Sequence, residues 1–334
     1  MSNVEDFFGG LSRRTLKKNY IINGNFDIWQ RGTSQTAVGY GSDDRWQNDN
    51  VGTTKVHSRQ TFTLGQTDVP GNPKYFSRTV VTSVAGTNNY YQKLQRVEGV
   101  ASLSGKTATL SFWAKADAAK NIAIEFYQYF GTGGSPSTAV YGICPQLVAL
   151  TTSWKKYTVT ANIPSISGKT LGTDGNDSLI PIFWFDAGSN HNIRTANLGQ
   201  QSGTFDIAQV QLEEGSVATE FECRTYADEL TLCQRYFQKS GILYGYAASS
   251  AHISVCYSAI QEFRTIPIVV LPTTSLAAES PPWVTSVNST ASVISSGHIA
   301  YSIAKFDILI SGFTGLIARY PASLRTPIWF DAEL

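Results

Sequence analysis

Charge is what this sequence has least of. Asp, Glu, Lys and Arg make up 15% of its 334 residues, against about 25% in an ordinary soluble domain. With 26 basic and 25 acidic side chains the formal net charge is +1, which excludes a global electrostatic footprint for nucleic acid or for an anionic membrane. Long apolar runs are also missing. No segment approaches the ~20 residues of a membrane-spanning helix, so no membrane insertion is expected. The opening residues, with Glu5, Asp6 and Gly9-Gly10, hold no run resembling the apolar core of an export signal. The expectation is assembly inside a cytoplasm.

Side chains that carry chemistry are few. His57, His191, His252 and His298 are isolated, without the HxH or HExxH spacing that places imidazoles on one zinc ion. Cys144, Cys223, Cys233 and Cys256 include no CxxC pair. A chain this long needs no disulfide staples, so reduced and mostly buried thiols are expected. Neither a G-x-S-x-G elbow nor a GxxxxGK[ST] phosphate loop occurs. Glu213, Glu214, Glu220 and Glu222 cluster, and a glycosidase uses two carboxylates about 5–10 Å apart. Any acidic turn meets that criterion, and these are read as solvated turn residues. No enzyme and no cofactor are expected.

What the chain has is aromatic and β-branched residues in short runs, separated by Gly, Asn, Ser and Thr. Residues 76–84, 107–114, 122–130, 155–161 and 179–185 read as strands,. Clusters such as 131–136 and 172–177 read as turns,. This spacing predicts an all-β antiparallel sandwich. Residues 203–215 alternate and end in an acidic, Gly-broken turn. As a regular strand, Phe205, Ile207, Gln209 and Gln211 would share one face, and Asp206, Ala208, Val210 and Leu212 the other. Neither face is cleanly apolar.

Four stretches, in order, are more specific than their periodicity: Ile21-Ile22-Asn23-Gly24-Asn25-Phe26-Asp27-Ile28-Trp29-Gln30-Arg31-Gly32-Thr33, Asp44-Arg45-Trp46, the 203–222 segment, and Glu229-Leu230-Thr231-Leu232-Cys233-Gln234-Arg235-Tyr236-Phe237. In these the chain resembles bacteriophage tail and fibre proteins that carry a carbohydrate-binding-module-like jelly roll. The resemblance implies a non-enzymatic virion protein, fibre or tail-associated, for attachment or host-surface glycan recognition. A head-decorating capsid fibre is the rival within that class, and a carbohydrate-binding module of a polysaccharide-degrading system is the rival outside it. It also implies a homotrimer, and a jelly roll whose first and last strands are residues 21–33 and 203–214. Modules of this type often hold a structural calcium between those strands. The matching positions are Asn25 or Asp27 and Asp206, for which an ion and plain hydrogen bonding both stay open.

The organisation expected is an N-terminal attachment arm (1–19), the jelly roll (20–222), a linker helix (223–240) packed between two sandwiches, and a C-terminal β-sandwich (241–334). In the arm, Phe7, Phe8 and Leu11 follow helical spacing ahead of Arg13, Arg14, Lys17 and Lys18,. They are the candidates for docking on other virion proteins. In the helix, Leu230, Cys233 and Phe237 share a face,. In the C-terminal part, strands are expected at 242–248, 253–260, 266–271, 300–310 and 317–320, with an apolar edge strand ending in an acidic tip from Trp329 to Leu334.

Sugar binding needs aromatic platforms flanked by hydrogen-bonding groups, because a sugar ring has apolar faces and a belt of hydroxyls. Glu125, Tyr127 and Tyr129 alternate on one strand, and Trp184 and Asp186 share a face of another. If both strands lie in one sheet, these five line one groove. The competing reading makes the aromatics core and the polar groups turn residues.

Overall fold

The computed structural model describes residues 19–271, 276–280, 284–288, 292–293, 299–302, 305–311, 313, 316, 321–325 and 327–334. The arm with Phe7, Phe8 and Leu11 and the strand expected at 317–320 lie outside the described residues. The chain forms two compact units, one of residues 1–27 and 32–224, the other of residues 28–31 and 225–334.

The strands of the first unit are β1 (Ser34–Gln35), β2 (Gln47–Val51), β3 (Thr54–Thr61), β4 (Tyr75–Thr82), β5 (Tyr90–Leu94) and β6 (Val97–Glu98). They continue with β7 (Thr107–Ala116), β8 (Lys120–Tyr129), β9 (Val140–Leu150), β10 (Lys155–Asn162), β11 (Ser178–Ala187) and β12 (Gly203–Glu214). Sheet A has the order β1-β3-β4-β12-β7-β10, and sheet B the order β2-β5-β11-β8-β9 with β6 also on β11. From β7 to β12 the chain crosses repeatedly between the sheets, the winding of a jelly roll. Rings from both inner faces meet in the core: Phe112 on Phe183 at 5.0 Å and Phe185 on Phe205 at 5.1 Å. The all-β expectation holds.

β12 shows why its sequence had no clean apolar face. Its register on β7 shifts between Ala208 and Gln211, and Gln209 has φ +49°. This bulge switches the phase of the strand. Phe205 and Ile207 before it and Val210 and Leu212 after it all face the core. Asp206, Ala208, Gln211 and Glu213 face outward, paired with Lys115, Trp113, Ser111 and Thr109 of β7.

Residues 21–33 are a correction. They form no strand. Asn23 and Phe26 adopt φ of +57° and +56°, outside the extended region of a regular strand. The Gln95 side chain takes the place of a neighbouring strand at Ile22, accepting from its N–H and donating to its carbonyl. This coil locks onto the Asp44-Arg45-Trp46 motif. Trp46, fully buried, donates Nε1 to the Asn23 carbonyl at 3.1 Å and stacks on Phe26 at 5.3 Å, while Asn23 donates to the Asp44 carbonyl. The start of the first motif and the second motif are therefore parts of one core. Gly24 fits because Val210 donates its N–H to the Gly24 carbonyl at 2.9 Å, and a Cβ at this position would run into the Val210 carbonyl oxygen. Gly24→Ala should lower stability by about 1–3 kcal/mol, read as a lower urea midpoint; an unchanged midpoint would contradict this packing.

The same core encloses a charged cluster. Asp43 lies 3.0 Å from His57 Nε2 and 2.7 Å from Lys93 Nζ, all three side chains being inaccessible to solvent or nearly so. His57 Nδ1 meets the Thr79 hydroxyl, which in turn meets the Tyr91 hydroxyl. Burial would raise the Asp43 carboxyl, but the adjacent His57 and Lys93 outweigh it and hold it well below the usual carboxylate range. For His57 burial dominates over the pull of Asp43, and the ring is pushed below its ordinary value.

The second unit opens with a helix, Tyr226–Gln234, whose Thr225 cap accepts the Asp228 N–H at 3.2 Å,. The helix ends earlier than expected, because Phe237–Lys239 is a strand, β13, paired with the last strand of the chain, Trp329–Asp331. That last strand is a second correction. It is the middle of a three-stranded sheet, with β13 on one side and Ile268–Val270 on the other, so its apolar residues are explained by burial on a paired strand rather than at an edge. The larger sheet of this unit includes Leu243–Ser249, His252–Ser258, Lys305–Ser311 and Pro321–Leu324. Residues 28–31 belong here: Arg31 lies 3.1 Å from Asp331 and 3.2 Å from Glu333, with its guanidinium 3.7 Å above the Phe237 ring. The thiols also differ from expectation. Cys233 is buried, but Cys144, Cys223 and Cys256 are exposed, and none is in a disulfide.

Candidate functional site

The outer face of sheet B carries the aromatic stripe. Ile180, Ile182 and Trp184 of β11 pair with Tyr127, Glu125 and Ala123 of β8, so the two strands do lie side by side and share this face. Around a buried floor of Ile180, Ile182, Trp184, Ala123 and Leu94 stand the partly buried Tyr90, Tyr127 and Tyr129. Tyr127 stacks on Tyr141 of β9 at 4.8 Å and 19°, and lies 6.1 Å from Tyr129. Tyr141 is 53% exposed, so the Tyr141–Tyr127–Tyr129 row is the part of the stripe open to a ligand. Arg96 lies 5.1 Å over Tyr129. Burial, with Tyr141 adjacent, pushes the Tyr127 phenol up to about 12, so its hydroxyl stays protonated and able to donate.

Glu125 and Trp184 build this face from beneath. Glu125 is fully buried, accepting from Trp184 Nε1 at 3.1 Å, from Arg194 Nε at 2.9 Å and from the Gly142 N–H at 2.8 Å. Arg194 also reaches Glu125 through its terminal nitrogen and lies over both Trp184 and Tyr141, at 4.9 and 5.0 Å,. It is delivered by a one-turn helix, Asn192–Thr195, after a 3₁₀ turn Ser189–His191. His191 also packs on Trp184, at 5.3 Å. The indole is thus inaccessible and serves as floor, not platform. For Trp184 the core reading of the sequence is the one the geometry bears out.

Asp186 leaves the face altogether. The register of β11 on β5 shifts between Trp184 and Asp186, and this bulge turns Asp186 to the other side. There it accepts from Thr53 at 2.5 Å, Ser83 at 2.8 Å and the Gln201 N–H at 2.6 Å. It ties three loops together. Sequence reading missed Tyr141, Arg96 and Arg194. Tyr141 lies on a strand interrupted by Gly142 (φ +63°), Cys144 (φ +53°) and Pro145, which hid its periodicity. Proline is tolerated there because β9 is the edge of sheet B,.

The two calcium candidates each have partners of their own. Asp206 faces outward in sheet A, held by Arg78 at 2.7 and 2.8 Å with Lys115 at 3.9 Å. Asp27 accepts from Asn25 at 2.8 Å, and burial pushes its carboxyl upward. A carboxylate already matched by a bidentate guanidinium is a poor ligand for a dication. No group of three or more His, Cys, Asp or Glu poised to hold a metal occurs among the described residues. The acidic cluster is likewise engaged. Glu213 accepts from the Thr219 N–H and hydroxyl and from Gln211, and Glu214 pairs with Lys106 at 2.6 Å.

No family model matches the chain, and no curated protein matches it. Solved structures give weak likenesses. The enzymatically active domain of tailspike protein 4 of bacteriophage CBA120 has a TM-score of 0.33 at 11% identity, over 59% of this chain and 21% of the tailspike chain. The chain therefore matches about a fifth of that protein's length. A family 11 carbohydrate-binding module of a Clostridium thermocellum cellulosomal cellulase has a TM-score of 0.31 at 12% identity, over 56% of this chain and 97% of the module. A xylan-binding domain from Paenibacillus barcinonensis has a TM-score of 0.31 at 15% identity, over 51% of this chain and 92% of the domain.

Proposed function

We propose that this chain is a non-enzymatic bacteriophage virion protein, fibre or tail-associated, that recognises glycan on the host surface through the outer face of sheet B. The observation that carries glycan recognition is the row Tyr141–Tyr127–Tyr129. Its rings are stacked at 4.8 and spaced at 6.1 Å on a floor made rigid by the Glu125–Arg194–Trp184 cluster. Apolar ring faces edged by phenol hydroxyls and a guanidinium match the alternating apolar and hydroxylated surfaces of sugar rings. Recognition of this kind needs no cofactor. The virion role is supported by the four sequence motifs. Two of them interlock through Asn23 and Phe26 of the first and Asp44 and Trp46 of the second in one buried core, as expected of segments that define a fold rather than a ligand.

Calorimetric titration of the full-length protein with purified surface polysaccharide of a bacterial host tests the binding reading. Saturable binding supports it, and its absence across the surface glycans of the host that carries this gene would overturn it. Peptides of the chain in purified particles test the virion reading independently. Residues 1–19, with Phe7, Phe8 and Leu11, are the proposed docking element on other virion proteins. We further expect light scattering at micromolar concentration to report three chains of 36.4 kDa each, since closed assembly protects sheet edges; a monomer would exclude the trimer.

A further inference from the structure

A cavity lies in the first unit, on the outer face of sheet A, away from the tyrosine row. After β12, residues 216–223 fold back over the sheet as a strap. Gln211 and Glu213, the outward residues of β12, hold it: Glu213 accepts from Thr219, and Gln211 accepts the Glu222 N–H at 2.7 Å. Lys156 of β10 donates to the Thr219 carbonyl at 2.8 Å. Between strap and sheet remains a space of about 300 Å³, lined by Trp113, Phe221, Ser111, Gln209, Lys156 and Glu220.

We propose that this cavity is a binding site for a single neutral hexopyranose, distinct from the sheet B face. The volume is at the lower end of ligand pockets, room for one monosaccharide and not for a chain. Trp113 and Phe221 are both half-buried, offering an aromatic surface to a sugar's apolar face. Polar groups surround them. The β12 bulge, with Gln209 in a left-handed conformation at φ +49°, directs this side chain to the cavity. Its Nε2 donates to the Pro70 carbonyl at 2.7 Å, which orients Oε1 as an acceptor. The Ser111 hydroxyl donates and accepts. Lys156, which donates to the Thr219 carbonyl, and Glu220 also line the cavity, one charge of each sign. A lining without excess charge of either sign suits a neutral polyol better than an ion.

Cys223 lines the cavity and is exposed, so it reports occupancy. Alkylation of the full-length protein by iodoacetamide is followed by peptide mass spectrometry in the presence of methyl glucoside, galactoside or mannoside, or N-acetylglucosamine. At least one sugar should slow Cys223 by 1 + [L]/Kd, about threefold at twice the Kd, while the exposed Cys144 and Cys256 in the same sample react at unchanged rates. Protection should vanish in Trp113→Ala and in Phe221→Ala and persist in Tyr127→Ala. Phe221 is on the strap, so its variant decides should Trp113→Ala fail to fold. The proposal is overturned by absence of protection up to about 100 mM of every sugar. It is equally overturned by protection shared with the other two thiols, or by protection that survives Phe221→Ala.

Discussion

Asp43→Ala is expected to destabilise the first unit by about 3–5 kcal/mol, because it leaves Lys93 as an uncompensated cation in the core. Lys93 is inaccessible, and Asp43 at 2.7 Å is its counter-ion. Lys93→Met in the native background should cost a similar amount by stranding the carboxylate. The double variant Asp43→Leu/Lys93→Met should recover most of the loss, since replacing a buried pair by apolar groups is often neutral. Urea unfolding monitored by tryptophan emission reads all three. If the double variant is no more stable than either single, the loss comes from packing and the ion-pair account fails.

The same cluster sets a pH dependence. His57 is pushed below its ordinary value of 6.5 in the folded protein, chiefly by burial. The unfolded chain therefore binds a proton that the folded one refuses. Stability is full above about 6.5 and falls as pH drops through that value. Asp43, also depressed in the folded state, adds a second loss. Its contribution is present above the unfolded value of 3.8 and disappears as pH falls toward the folded one. His57→Asn keeps a hydrogen-bonding side chain and removes the titration. Its urea midpoint should fall less between pH 7.5 and 5.5 than that of the native protein, and equal slopes would show that His57 does not carry the effect.

Removing two rings of the tyrosine row, Tyr127→Ala with Tyr141→Ala, is expected to weaken the proposed glycan site by about 1–3 kcal/mol, roughly 5- to 150-fold. In the proposed trimer the loss would multiply, because linking sites raises avidity by about 10²–10⁴ over one site. Adsorption to host cells should then fall below detection while the far-ultraviolet circular dichroism stays native. Trp184→Ala is the instructive contrast. Its indole is inaccessible, so truncation should cost about 3–5 kcal/mol of stability, and any lost binding would follow from unfolding. Unchanged adsorption by the folded tyrosine variant would move the receptor site off this face.

Several features were legible before folding is considered. Runs of aromatic and β-branched residues between turn clusters specified an antiparallel sandwich, and the pairing of β8 with β11 places Glu125, Tyr127 and Trp184 on one face as alternation implies. Two irregularities were not legible. Bulges at Gln209 and at Phe185 each change which face the following residues take. One brings Val210 and Leu212 into the core, and the other carries Asp186 away from the tyrosine row. A period-two reading has no term for an extra residue, because a bulge is fixed by the partner strands and not by its own sequence.

The sequence by itself determined the class of fold, the near-absence of net charge and the aromatic supply, since these follow from local propensity and composition. Only the tertiary structure decided which aromatics are accessible. Trp184 is covered by Arg194 and His191 from a distant turn, whereas Tyr141 is brought beside Tyr127 by pairing across β8 and β9. It also decided that the carboxylates after β12 hold a strap, because Glu213 finds Thr219 only when the chain folds back. Exposure and partnership are properties of long-range contacts, and alternation along one strand records only its own two faces.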